Sequence, residues 1–406
     1  MSDTPVGLYI HIPFCRAKCP YCDFNSYPHL QHLHQPYARA VCAELERFAQ
    51  RHGHLHVDTI YLGGGTPTCL APALLTQILT TCQSEFEVEP RAEISVEANP
   101  GTVTLGNLAA LRCAGVNRLS LGAQSLRDDE LRLLGRIHSA AEARQAVHLA
   151  RSASIVNINL DLIYGLPRQS LAAWCSTLEE ALALAPDHLS LYALSLEDGT
   201  PLAMSIDNKE LPEPDPDLAA QMYMTAEELL SKAGYEHYEL SNWARPTAVG
   251  SRAGHSGSES APPALCCHNL KYWRRDPYLG FGAGAHSFHR DWRYHNVPQP
   301  QEYVSRLEKG QDTVESQEWI GPDEAMAETM ILGLRLTKGV QFDHFQQQHW
   351  HDMRQQYGAE LDGLHMLNLL AVDSVGVRLT SRGRLLANQA FVRFWPRPDL
   401  RANPVE

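Results

Sequence analysis

The chain has no apolar run of about eighteen residues, so no segment reads as a membrane-spanning helix. Its start, Met1-Ser2-Asp3-Thr4-Pro5, lacks the basic region and the apolar stretch of a secretion signal, and a cytoplasmic location is expected. Cysteine is sparse and unevenly spread, 10 in 406 residues, which excludes a disulfide framework. Positive charge is also short. With 34 Lys and Arg against 47 Asp and Glu, the formal charge of -13 disfavours nucleic acid as the main partner, because nothing replaces the counterions it would release. A neutral or metal-bearing small molecule fits this balance better. Hydrophobic residues, at 44%, suffice for a large core and two or three domains.

Six short β-branched or apolar runs alternate with helical stretches: Gly7–Ile12, Thr59–Leu62, Glu93–Glu97, Arg118–Leu121, Val156–Leu162 and His188–Leu194. Each is followed by glycine or a reactive polar residue, the pattern of βα units around a parallel sheet with its chemistry at the strand ends. Tyr37–Gln50 and Ser139–Ala150 carry apolar residues at three and four spacing and read as amphipathic helices. Six units fall short of a closed eight-fold barrel. The expected fold is therefore α/β, an open three-quarter (βα)6 barrel of TIM type. Around Pro246–Leu265 the composition turns to Gly, Ser, Ala and Pro, which predicts a flexible insert. Leu364–Phe394 reads as helix, hairpin (Ala371–Thr380) and helix, a C-terminal α+β domain of winged-helix type. The expected organisation is a barrel over 1–245, the insert over 246–265, a region with a histidine motif over 266–319, and the C-terminal domain over 320–406. That last domain has nearly equal numbers of basic and acidic residues and lacks the positive face of a DNA reader.

Directly after the first run stands His11-Ile12-Pro13-Phe14-Cys15-Arg16-Ala17-Lys18-Cys19-Pro20-Tyr21-Cys22, a CxxxCxxC spacing. Three thiolates on one tight loop can ligate three irons of a [4Fe-4S] cubane. The fourth iron is then open to chelation by the amino and carboxylate groups of a small molecule. Structural zinc wants four protein ligands, and no fourth cysteine lies nearby in the sequence. Gly63–Thr66 follows the second run; with no Gly-Lys-Ser/Thr after it, it is not a phosphate loop, and its glycines let backbone approach a ligand closely. The histidines crowded at 29, 32 and 34 and at 52, 54 and 56 read as solvated surface, since nothing fixes their geometry.

The cysteine spacing, with the aromatic Tyr21 before the third cysteine, resembles that of the radical S-adenosylmethionine superfamily. Tyr9-Ile10-His11-Ile12-Pro13-Phe14, Gly63-Gly64-Gly65-Thr66-Pro67-Thr68, Ser95-Val96-Glu97-Ala98-Asn99-Pro100, Ser120-Leu121-Gly122-Ala123-Gln124-Ser125 and Asp161-Leu162-Ile163-Tyr164-Gly165-Leu166-Pro167 narrow the resemblance. They resemble the branch of coproporphyrinogen dehydrogenases and HemW-type heme chaperones, across nearly the whole chain. The resemblance implies a [4Fe-4S] cluster on Cys15, Cys19 and Cys22 and S-adenosylmethionine beside it. It implies Gly64, with Gly65 and Thr66, against the cofactor's methionine moiety, Glu97 on its ribose hydroxyls, and Tyr9 and Tyr21 near the cluster. Gln124, Arg136 and Asp161 match positions that surround a second cofactor molecule in the dehydrogenase.

Two functions compete within that branch: oxidative decarboxylation of coproporphyrinogen III, and the carriage of heme to acceptor hemoproteins. The dehydrogenase has a further cysteine two residues past the third, where this chain has Phe24, and a long N-terminal extension, whereas 14 residues precede Cys15 here. His268-Asn269-Leu270-Lys271-Tyr272-Trp273 is an HNxxYW motif that resembles that of HemW proteins, in which the histidine ligates heme. Imidazole binds iron, and Tyr272 and Trp273 are suited to pack on a porphyrin face. His268 is therefore the candidate axial ligand, while His286 reads as structural and Cys266 and Cys267 as inert. The insert before Cys266 is expected to bear on how tightly heme is held. A heme chaperone is the favoured reading, with respiratory hemoproteins among its acceptors and only peripheral contact with a membrane.

Overall fold

The structure, a computed structural model, describes residues 4–246 and 264–396. Six parallel strands follow one another in chain order across the main sheet: β1 (Val6–Ile12), β2 (His56–Gly64), β3 (Glu87–Ala98), β4 (Arg118–Gln124), β5 (Asn157–Tyr164) and β6 (His188–Ala193). The helices His34–His52, Pro72–Glu85, Leu105–Cys113, Ala140–Ser152 and Leu171–Ala183 run between them. Their starts are set locally. Ser139 and Glu142 form a reciprocal capping box, and the Thr104 and Ser170 side chains accept from the first turn of the helices they precede.

The strands alternate in polarity, and that alternation decides what the barrel encloses. Along β1, Leu8, Ile10 and Ile12 are fully buried in a core shared with Val41, Leu45, Ile78 and Leu79 of the covering helices. Along β4 and β5, Leu119, Leu121, Leu160 and Leu162 do the same against Val147, Trp174 and Leu178. The residues between them are small or polar: Gly7, Tyr9 and His11, then Arg118, Ser120 and Gln124, then Asn159 and Asp161. Apolar side chains thus hold the helices on, and the barrel interior is left polar.

The sheet extends past the expected six strands. Tyr278–Phe281 (β9) adds a seventh parallel strand beside β1, followed by antiparallel β10 (His286–His289), β11 (Trp292–Asn296) and β12 (Val314–Trp319). At the far edge Glu236–Glu239 (β7) and Asn242–Ala244 (β8) continue from β6 as an antiparallel ribbon. The sheet stays open, a partial barrel as expected. Residues 266–319 therefore build much of one sheet edge. The insert over 246–265 lies outside the described residues except for Pro246, Ala264 and Leu265.

Helices Pro322–Gly333, Phe342–His349 and Met353–Met366 enclose a core of Met330, Phe345, Leu361 and Phe394 with a small antiparallel sheet that includes the hairpin Leu370–Val372 and Gly376–Leu379. Glu328, buried, takes Arg275 at 3.0 Å and Arg293 at 2.6 Å, which ties this unit to the sheet. No helix among the described residues is long and apolar enough to cross a membrane.

Candidate functional site

A cavity of about 470 Å³ opens where β1 to β6 end. The loop after β1 folds back, with Phe14–Cys15 pairing in parallel with Tyr27–Pro28, and so holds Cys15, Cys19 and Cys22 as half-buried free thiols on the cavity wall. The glycine loop after β2 is laced to it: the Gly65 N–H donates to Ile12 O at 2.9 Å and the Thr66 N–H to Phe14 O at 2.8 Å. Only glycine fits at 65, because a Cβ there would lie 2.7 Å from Phe14 O and 2.9 Å from Cys15 Sγ. Thr66 Oγ1 lies 3.7 Å from Cys15 Sγ. Burial pushes the Cys15 and Cys22 thiols up from their ordinary range.

Arg136 reaches into the same loop. Its Nη1 donates to Cys19 Sγ at 3.3 Å and to the Tyr21 hydroxyl at 3.4 Å, and its Nη2 to Gly122 O at 2.8 Å. A guanidinium beside sulfur suits thiolates that carry an anionic cluster. Three thiols on one loop, with one cation on a sulfur, fit the [4Fe-4S] group that the cysteine spacing implies; Cys69, a further free thiol on the cavity wall, stands apart from that loop on the helical turn Pro67–Cys69. Among the described residues, no three or more His, Cys, Asp or Glu side chains gather as a single metal ion needs.

Gly64 and Glu97 form the next part of the wall. The Gly64 N–H donates to Glu97 Oε2 at 3.1 Å and the Tyr61 hydroxyl donates to Oε1 at 2.8 Å. Gly64 has φ +116°, and a Cβ on it would lie 2.7 Å from the His11 ring. Burial raises the Glu97 carboxyl to about 7, helped by the nearby Asp161 and opposed by those two hydrogen bonds and by Arg118. Asp161 accepts from Ser120 Oγ at 3.0 Å and from Asn159 Nδ2 at 2.7 Å. Gln124, at φ 66°, ends β4 on the same wall. The cavity thus gathers Tyr21, Gly64, Gly65, Thr66, Glu97, Gln124, Arg136 and Asp161 with the three cysteines.

Two expected site residues stand elsewhere. Tyr9 does not line the cavity; its hydroxyl pairs with His11 Nδ1 at 3.0 Å and its ring packs beside the stacked pair of Tyr61 and His268, 6.2 and 6.3 Å from each. His268 is 1% exposed and belongs to the helix Cys267–Arg274, which closes the barrel where the strands start. Glu93 accepts from the Cys267 and His268 N–H groups, and Lys271 reaches Pro5 O and Asp58, each at 2.8 Å. The imidazole is used on both sides: Nδ1 pairs with Thr59 Oγ1 and Nε2 with the Tyr272 hydroxyl, each at 2.9 Å. Burial brings it down to about 3, so it is neutral. Both nitrogens of His268, the candidate heme ligand, are thus engaged within the protein in this arrangement. Trp273 is likewise covered, by the Arg335 guanidinium 4.2 Å from its ring.

Sequence reasoning missed Tyr61, Arg118, Ser120, Asn159, Ser190 and Asn269, all on the cavity wall. The signal for most of them was present as polar residues at alternate positions within apolar strands.

The chain matches the family model of the radical SAM superfamily over residues 9–181 and that of the HemN C-terminal domain over residues 320–386. It is 37% identical over 399 residues to the heme chaperone HemW of Mycobacterium tuberculosis, covering 97% of this chain and 95% of that protein. With the Bacillus subtilis heme chaperone HemW it shares 34% over 388 residues, 95% and 98% of the two chains. The mouse mitochondrial radical S-adenosyl methionine domain-containing protein 1 is 34% identical over 414 residues, 97% and 88% of the two. Among solved structures, the coproporphyrinogen III oxidase HemN of Escherichia coli superposes with a TM-score of 0.80 at 25% identity, over 96% of this chain and 90% of that one. A cysteine loop and glycine loop at one barrel mouth, with this likeness along nearly the full length, make the chain a member of the HemW family within the radical SAM superfamily.

Proposed function

We propose that the protein is a heme chaperone that holds a [4Fe-4S] cluster on Cys15, Cys19 and Cys22, binds S-adenosylmethionine against Gly64 and Glu97, and passes heme to acceptor hemoproteins. The observation that carries the choice over coproporphyrinogen decarboxylation is Phe24. Where the dehydrogenase branch has another cysteine, this chain has an aromatic ring on the cavity wall that is 65% exposed, suited to an apolar macrocycle rather than to a metal. When bound, a cluster of this kind supplies the electron that cleaves the cofactor's sulfonium carbon–sulfur bond. The protein's own residues bind and orient: Arg136 holds the Cys19 sulfur, and the Gly64 N–H and Tyr61 hydroxyl fix the Glu97 carboxyl. The reading keeps the protein in the cytoplasm, with peripheral contact at most where an acceptor is membrane-bound.

The iron ligand in this reading is His268, and the structure sets a condition on it. Ligation must displace Thr59 or Tyr272, so the helix Cys267–Arg274 has to shift from the barrel floor. Tyr272→Phe frees Nε2 and is expected to speed heme uptake, read by stopped-flow absorbance. The deciding assay gives anaerobically reconstituted protein coproporphyrinogen III, S-adenosylmethionine and a reductant, and in parallel titrates hemin. Protoporphyrinogen formation overturns the chaperone reading, and tight hemin uptake without product supports it. Deleting residues 249–261 and comparing hemin off-rates tests whether the insert strengthens the hold; equal rates discard that part.

A further inference from the structure

Arg118 opens β4, is 2% exposed, and lines the cavity. Its Nε has no hydrogen-bond partner among the described residues. The carboxylates that feel its charge are committed to other donors. Glu93 caps the floor helix through the Cys267 and His268 N–H groups, Glu97 accepts from Tyr61 and Gly64, and Asp161 from Ser120 and Asn159. A cation buried this deeply, with no salt-bridge partner among the described residues, is costly to hold, and a planar guanidinium is matched by a carboxylate, which takes two parallel N–H bonds. Asn269, the second residue of the histidine motif, lines the same cavity and offers a further donor.

Depth selects among carboxylates. Through the strand registers Arg118 lies level with Ser95, Tyr61 and Tyr9. Tyr9 is three residues below Ile12, so the guanidinium springs from a point about 10 Å beneath the cysteine loop. S-adenosylmethionine that chelates a cluster iron uses its only carboxylate at the loop and has none left for the floor. Heme carries two propionates at one edge. A dianionic phosphate is disfavoured by the neighbouring Glu97 and Asp161, whereas one carboxylate balances one guanidinium.

We infer that Arg118 receives a propionate of the tetrapyrrole, so that the ligand enters the barrel with its acidic edge down. The inference rests on the chaperone reading and deepens it. Arg118 then selects carboxylate-bearing porphyrins.

The test compares hemin with hemin dimethyl ester, by absorbance titration of reconstituted protein, in wild type, Arg118→Met and Arg118→Lys, with S-adenosylmethionine affinity measured on each. Wild type is expected to prefer hemin by about tenfold or more, and Arg118→Met to lose that preference while its affinity for the ester stays unchanged. Arg118→Lys keeps the charge and part of the preference, and it carries the comparison if the Met variant does not fold. Equal binding of both porphyrins by wild type, or equal weakening of both in the variants, overturns the assignment and leaves Arg118 a structural charge. A loss confined to S-adenosylmethionine overturns it in favour of the cofactor's carboxylate. Wild type that takes up neither porphyrin refutes the chaperone reading itself, and this inference with it.

Discussion

Glu97 offers a quantitative test of the cofactor pocket. Its carboxyl titrates at about 7, because burial and the charge of Asp161 oppose ionisation more than Tyr61 and the Gly64 N–H favour it. Ribose hydroxyls donate better to a carboxylate than to a carboxyl group, so S-adenosylmethionine should bind the ionised form and displace a proton. Affinity then rises with pH and levels off above 7. Between pH 8 and pH 6 the ionised fraction drops from about 0.9 to about 0.1, so affinity should fall about tenfold, near 1.4 kcal/mol. His138, held near 4 by burial and Arg136, and His268, near 3, stay neutral over this range. The cofactor's own amino group titrates too, equally in wild type and in Glu97→Gln. The measurement is therefore the ratio of their affinities, by calorimetry on anaerobically reconstituted protein. A ratio that stays flat from pH 6 to 8 would refute the reasoning. The apo protein follows the opposite sign: a carboxyl raised on folding contributes stability that is complete below its unfolded pKa and is lost as pH rises through about 7. Glu97→Gln removes only part of that slope, since the buried Glu239 is also raised to about 7.

The other predictions probe the loop, the turn and the core. Arg136→Met removes the N–H donated to Cys19 and a positive charge, so the reduced cluster is less stabilised and its potential should fall by roughly tens of millivolts in an EPR-monitored redox titration. Gly64→Ala puts a Cβ into the His11 ring at a positive φ; it should cost about 1–3 kcal/mol and weaken S-adenosylmethionine, while Gly106→Ala, which meets nothing, is the control. Trp174 is fully buried and donates to Met222 O at 3.0 Å, so Trp174→Ala should lower stability by about 3–5 kcal/mol in urea melts.

What the sequence disclosed was chiefly local. Six strands were legible because each β-branched run ends in glycine or a polar group, and the expected helix over Tyr37–Gln50 sits inside His34–His52. The parallel strand Tyr278–Phe281 was not legible: four residues carry no periodicity, and its partner β1 lies at the other end of the barrel sequence. Strand β3 was read from Glu93, yet it begins at Glu87, since the exposed stretch Glu89-Pro90-Arg91 hides its first turn of pairing. The cysteine loop and Glu97 could be found because their chemistry sits in short motifs. Tyr9 and His268 were assigned from the motifs they stand in, but the groups they meet come from afar: Thr59 and His268 are 209 positions apart. A motif states which groups are present, and only the fold decides which of their atoms remain free.

That distinction governs how His268 variants are read. Gly7 has to be glycine because a Cβ there would meet Lys271 at 2.8 Å and the His268 ring at 3.1 Å, so the motif helix is fitted into the barrel floor. Its anchors are mostly polar, through Glu93, Asp58, Pro5 O and Thr59, and groups that water can solvate are released at less cost than an apolar face of equal area. A floor held in this way can withdraw to expose an imidazole. His268→Ala, however, deletes both a candidate ligand and two buried hydrogen bonds, and weaker heme binding alone does not separate the two losses. Added imidazole does. If His268 ligates the iron, free imidazole should restore the six-coordinate spectrum of the bound heme in His268→Ala without restoring its thermal stability. If the histidine only holds the floor, imidazole changes neither the spectrum nor the affinity.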